Sequence, residues 1–106
     1  MAKFMYLYRG PAPAADATPE QSAARTATFG AWMENVGSGL VDVGSPFGAA
    51  AALRDDGTEA APGELIGYTI VEATDLASAK TLTEGLPFLS GTAGECVVEI
   101  FELLTM

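Results

Sequence analysis

The segment Lys3-Phe4-Met5-Tyr6-Leu7-Tyr8-Arg9 is apolar on both of the faces that a β-strand presents. Side chains alternate along a strand, so Phe4, Tyr6 and Tyr8 share one face while Met5 and Leu7 share the other. A strand of this kind needs cover on both sides. Gly10-Pro11 ends it. The chain has 106 residues, the size of one domain, so residues 1–106 read as a single unit with little spare interior. The pattern is that of a sheet with helices on one face and a partner subunit on the other. Composition agrees. Hydrophobic residues are 49% of the chain and charged residues 18%, too apolar for disorder and thinly charged for a monomer whose whole surface meets water.

The remaining elements follow from local signals. Pro11 to Ala17 is a loop. Thr18-Pro19-Glu20-Gln21 starts a helix, with Thr18 as N-cap, Pro19 at the first helical position and Gln21 completing a capping box. Phe29, Trp32, Met33 and Val36 form one apolar stripe, and Gly37 suits the C-terminus. Traced backward, the stripe becomes Arg25, Thr26 and Ser22. That change marks either a first turn overhanging the sheet into water or a cleft at that end of the helix. Gly39 to Gly44 reads as a second strand and Ser45-Pro46-Phe47-Gly48 as a turn or bulge. A short extended piece within Ala49 to Arg54, a turn at Asp55-Asp56-Gly57 and a loop from Thr58 to Glu64 follow. Leu65 to Ala73 is the clearest strand, with Gly67 marking a bulge or close packing. Thr74 or Asp75 caps a second helix with a Leu76, Ala79, Leu82 and Leu86 stripe, which Gly85 and Pro87 end. Phe88 and Leu89 tuck a turn onto the core, Ser90 to Gly94 is a loop, and Glu95 to Leu104 is the last strand.

This order, βαββαβ, is that of the ferredoxin-like α+β sandwich: an antiparallel sheet with two helices on one face. Its other sheet face stays open in a monomer. Pairing two apolar open faces gives a dimeric α+β barrel, so a homodimer through the sheet is the expected partner.

Charge and missing residue types narrow the chemistry. Five Lys and Arg stand against 14 Asp and Glu, a formal net charge of −9, which disfavours nucleic acid and anionic membranes. No stretch approaches the about 20 apolar residues of a membrane span, and the N-terminal apolar run is too short for a secretory signal. The cytoplasm is therefore the expected compartment. There is one cysteine, Cys96, and no histidine, so no intrachain disulfide forms and His-based catalysis is excluded. No metal or cofactor is expected: metal-ligand spacing is absent, and Gly37-Ser38-Gly39 follows a helix rather than opening one, unlike a phosphate loop.

Candidate site residues are few. Arg9 and Arg25 either hold a carboxylate or phosphate between them or pair with surface acids. Asp42, between Val41 and Val43, sits on a solvent face or in a cleft; it is the one weak catalytic candidate. Glu72 and Glu99 lie in the strands that look most buried. Trp32, Phe47, Tyr8 and Tyr68 either line an apolar pocket or are plain core, and the tyrosine hydroxyls need partners if buried. Thr26 and Ser45 complete the ligand-binding set. Cys96 reads as a small buried hydrophobe.

The chain resembles the YCII-related (YciI-like) family, which includes proteins named after a DGPF motif. The resemblance lies in Lys3 to Tyr8, the helix carrying Trp32, and Gly39-Leu40-Val41-Asp42-Val43-Gly44. It is strongest in Leu65-Ile66-Gly67-Tyr68-Thr69-Ile70-Val71-Glu72-Ala73 with Thr74-Asp75-Leu76-Ala77-Ser78-Ala79. Cys96-Val97-Val98-Glu99-Ile100-Phe101-Glu102-Leu103 also fits. It implies a ferredoxin-like subunit in an intimate dimer with a cleft beside the sheet. A His and an Asp are proposed as an acid–base pair in some members. Here Arg25, Thr26 and Thr28 stand near the place of the His, Asp42 matches the acid, and Asp-Gly-Pro-Phe is absent. The expected function is a small-molecule-binding or interaction module without His-based catalysis. The alternatives are a cofactor-independent isomerase, lyase or oxygenase-like enzyme using a carboxylate and Arg, or a structural dimer subunit of a larger complex.

Overall fold

The computed structural model describes residues 1–10, 18–89 and 96–105, with Gln21, Ser22 and Phe88 described by backbone alone. The loops expected at Pro11–Ala17 and Ser90–Gly94, the Gln21 side chain of the capping box and the Glu95 start of the last strand lie outside the described residues.

Strand β1 (Ala2–Arg9) is followed by helix α1 (Pro19–Val36), then β2 (Leu40–Pro46). A two-stranded ribbon, β3 (Ala52–Leu53) and β4 (Glu59–Ala60), precedes β5 (Leu65–Ala73), α2 (Leu76–Thr81) and β6 (Val97–Leu103). The main sheet runs β2-β5-β1-β6 and every neighbouring pair is antiparallel. The fold is α+β, a four-stranded antiparallel sheet with two helices, compatible with the ferredoxin-like sandwich.

The alternation seen in the sequence of β1 is realised in space. Phe4, Tyr6 and Tyr8 are all 3% exposed or less. They face Val71, Thr69 and Gly67 of β5 across the register. Both helices cover this face. Trp32 of α1 packs against Tyr6, with ring centroids 6.2 Å apart, and donates Nε1–H to the Leu82 carbonyl at 2.6 Å. Tyr6 donates its hydroxyl to the Ala79 carbonyl of α2 at 2.5 Å. The first bond ties α1 to the end of α2 and the second ties α2 to the sheet, through polar groups beside an apolar core where an unmade bond would be costly.

Local starts and stops follow sequence chemistry. Asp75 is the N-cap of α2, accepting the Ser78 N–H at 2.8 Å, and that bond holds its carboxyl below the usual range. Gly37, at φ +60°, ends α1 in the left-handed conformation that glycine tolerates. Of the stripe expected on α2, Ala79 and Leu86 are buried and Leu82 half-buried. Leu76, the first residue of α2, is exposed. Leu89 is also exposed rather than tucked in.

Two further expectations are corrected. Residues 58–64 are not all loop: Glu59 and Ala60 pair with Leu53 and Ala52, and Arg54 ties the ribbon's turn through bonds to Thr58 and the Glu59 carbonyl. Ser45 and Pro46 belong to β2, which continues past its bulges to pair with Tyr68 and Gly67.

Candidate functional site

Two register irregularities, between Leu40 and Asp42 and between Asp42 and Ser45, bend β2 along its course beside β5. The bend rests on Gly44, whose φ is +82°. A Cβ built there would lie 1.6 Å from the Tyr68 carbonyl oxygen, so no other residue fits the approach. Asp42 supports the same bend. Its Oδ1 accepts the Gly44 N–H at 2.8 Å and its Oδ2 accepts the Tyr68 hydroxyl at 3.3 Å. Both carboxylate oxygens of this exposed residue are thus engaged in holding the strand.

A cavity of about 350 Å³ lies between the bent strand and α1, along Arg25 to Met33. Phe29 and Met33 form its helical wall, with Arg25 and Thr26 one turn earlier. Val43 to Pro46 form the β2 wall, Ile66 to Thr69 and Tyr8 the sheet side, and Pro87 one end. The volume falls in the range of small-molecule pockets, and most lining groups are apolar.

The polar groups on the sheet side are internally paired. Tyr8 donates to Thr69 Oγ1 at 2.6 Å, and Thr69 donates onward to the Val43 carbonyl at 2.9 Å. Ser45 donates to the Pro46 carbonyl at 3.1 Å. Burial pushes the Tyr8 hydroxyl up to about 12, against a lowering contribution from the Thr69 bond, so Tyr8 is a neutral phenol at physiological pH. No described residue lining the cavity is a carboxylate, cysteine or lysine, and the chain has no histidine.

Tyr8, Arg25, Thr26 and Ser45 of the expected ligand-binding set therefore meet at one cleft. The change in the α1 stripe at Arg25 and Thr26 does border a cavity, although both residues are solvent-exposed. The other four lie elsewhere. Arg9 follows β1 onto the opposite sheet face, where its Nε is 3.5 Å from Glu99 Oε2. Arg9 is thus not among the residues lining the cleft that Arg25 borders. Trp32 is core, at 1% exposure. Phe47 stacks on Tyr68, with centroids 5.9 Å apart and planes at 20°. Asp42 holds the β2 bend. Cys96 is exposed, not buried, because it precedes the strand rather than lying within it. Glu72 and Glu99 are half-buried on the open face.

Besides Phe29, Met33, Thr69 and Pro87, the lining residues not named beforehand as site candidates are Val43, Gly44, Pro46, Ile66 and Gly67. Their one visible signal is Gly44 at the end of an apolar strand. Among the described residues no cluster of acidic or cysteine side chains is arranged to hold a metal, and no helix is long and apolar enough to cross a membrane.

Fold and cleft together define an α+β protein with an apolar cavity between a helix and the edge of a four-stranded antiparallel sheet. No protein-family model matches the chain, and no curated protein matches its sequence significantly.

Proposed function

We propose that this protein is a small-molecule-binding module, related to the YCII family, whose ligand enters the cleft between α1 and the bent β2 strand. The observation that carries this reading is a cavity of about 350 Å³ with mainly apolar walls and, among its described lining residues, no carboxylate, cysteine or lysine. Such a wall favours retention over proton transfer. The enzyme reading needs a carboxylate in the cleft; Asp42, the one candidate, has both oxygens engaged outside the cavity lining. The family relationship rests on the order of sequence motifs, and the βαββαβ order with its antiparallel sheet is compatible with it.

The second half of the reading is a homodimer through the open sheet face. Met5, Leu7 and Ile70 are half-buried there, while Phe101 and Leu103 are 49% and 36% exposed. The occupant proposed is a second copy, because the charges on this face oppose one another: Lys3 and Arg9 stand among Glu72, Glu99 and Asp42 on a chain whose net charge is −9. A two-fold axis would let those opposite charges pair across the interface.

Native mass spectrometry of the protein purified from its own cells tests both halves. The expected result is a dimer that carries a small retained mass. A dimer without adduct after gentle desalting would count against a tightly held ligand. A monomer at micromolar concentration would overturn the dimer.

A further inference from the structure

We propose that the cleft selects a small apolar monocarboxylate, with its head group bound by Arg25 and its body lying against Phe29, Met33 and Val43. The inference rests on the cleft being a ligand site, as proposed above, and adds the ligand's class.

The cavity volume, about 350 Å³, lies in the range of small-molecule pockets. The apolar body follows from the walls, which come from Phe29 and Met33 on one side and Val43 and Ile66 on the other. The charge follows from elimination among the polar groups. The Tyr8 hydroxyl donates to Thr69, the Thr69 hydroxyl to the Val43 carbonyl, the Tyr68 hydroxyl to Asp42 and the Ser45 hydroxyl to the Pro46 carbonyl. Thr26 also has an interaction partner. Arg25 differs from all of these. No ion pair or hydrogen bond engages it among the described residues, although the chain carries 14 acids. Its guanidinium is permanently charged and offers a planar fork of donors that matches a carboxylate in bidentate fashion. Arg25 is also the one cation among the described lining residues. One guanidinium balances a singly charged head group and leaves half of a phosphate dianion uncompensated, within a protein of net charge −9.

Octanoate, octanol and octyl phosphate share one apolar chain and differ in head group, so their affinities separate the two layers of the argument. Titration calorimetry at neutral pH is expected to give octanoate at least about tenfold tighter than octanol, the value of one charge-assisted contact. Arg25→Gln should bring octanoate down to the affinity of octanol and leave octanol unchanged. Arg25 is exposed on a helix, so this variant keeps the fold.

Site assignment uses methyl spectra of labelled methionine. Met33 lines the cleft, whereas Met5 lies on the opposite sheet face. Octanoate should shift Met33 and leave Met5 in place. Equal affinities for octanoate and octanol, with no effect of Arg25→Gln, would overturn the carboxylate inference and leave the cleft reading standing. Octyl phosphate binding more than about tenfold tighter than octanoate would also overturn it. A shift of Met5 in place of Met33, or no binding by any of the three probes, would overturn the inference and the cleft reading together.

Discussion

The two faces of the central sheet are built from alternate residues of the same strands, yet they are finished differently. On the helix-covered face Phe4, Tyr6, Tyr8, Thr69 and Val71 are all 3% exposed or less, and every hydroxyl among them has a partner. On the open face Met5, Leu7 and Ile70 are half-buried, Phe101 is 49% exposed, and the ion pair of Arg9 with Glu99 spans 3.5 Å in water. Apolarity alone does not separate them. The covered face carries polar tips with fixed partners, whereas the open face mixes partly exposed apolar side chains such as Met5, Leu7 and Phe101 with charged ones such as Arg9 and Glu99. The first arrangement specifies one packing, and the second leaves a surface that a second copy can share.

The largest test of this contrast is Trp32→Ala. It should cost about 4 kcal/mol in denaturant unfolding, since it empties the contact between α1 and Tyr6 and removes the bond to Leu82. Tyr6→Phe should cost about 2 kcal/mol by the same measurement, because it leaves the Ala79 carbonyl without its buried donor. Tyr8→Phe should cost less, about 1 kcal/mol, since Thr69 still donates to Val43 after the change. If Tyr8→Phe proved the more damaging of the two, the hydroxyl chain at the cleft would matter more than the bond between sheet and α2.

Alkaline titration sharpens the same comparison. Burial, reinforced by the neighbouring Tyr8, pushes Tyr6 up to about 12, and burial does the same to Tyr8. Between pH about 10 and about 12 the unfolded chain loses these protons while the folded chain keeps them. Stability is therefore constant in this respect below pH 10 and falls as pH rises through that window. Unfolding midpoints followed across it should show the fall, and the double variant Tyr6→Phe, Tyr8→Phe should flatten it. The open face supplies the smallest effect. Arg9→Gln should change monomer stability by less than about 0.5 kcal/mol, as exposed ion pairs do. A larger loss that depends on protein concentration would locate Arg9 in a subunit interface.

Much of this architecture is legible in the chain. The alternation of β1, the Phe29–Val36 stripe and the Leu65–Ala73 strand are strong periodic signals, and each element lies where its period places it. The cleft was half legible. Arg25 and Thr26 interrupt a stripe, which one helix reveals by itself. The β2 wall did not show, because a bend made from two register shifts and a left-handed glycine leaves little trace in residue type. Asp42 illustrates the difficulty. An acid within an apolar strand suggests chemistry, but its oxygens hold the Gly44 N–H and the Tyr68 hydroxyl. Sequence shows that such a residue is unusual, and only the register across β5 shows what it is for.

Gly44 carries a consequence for descent. Any replacement by mutation adds a Cβ, and here that atom would collide with the backbone of the next strand. Drift is free to exchange exposed residues beside the cleft, Thr26 and Ser45 among them, while this position stays closed to change. The bent backbone is thus the conservative part of this edge, and the side chains exposed along it are the variable part. Kin of this chain would be recognised by a residue without a side chain before they were recognised by any residue that has one.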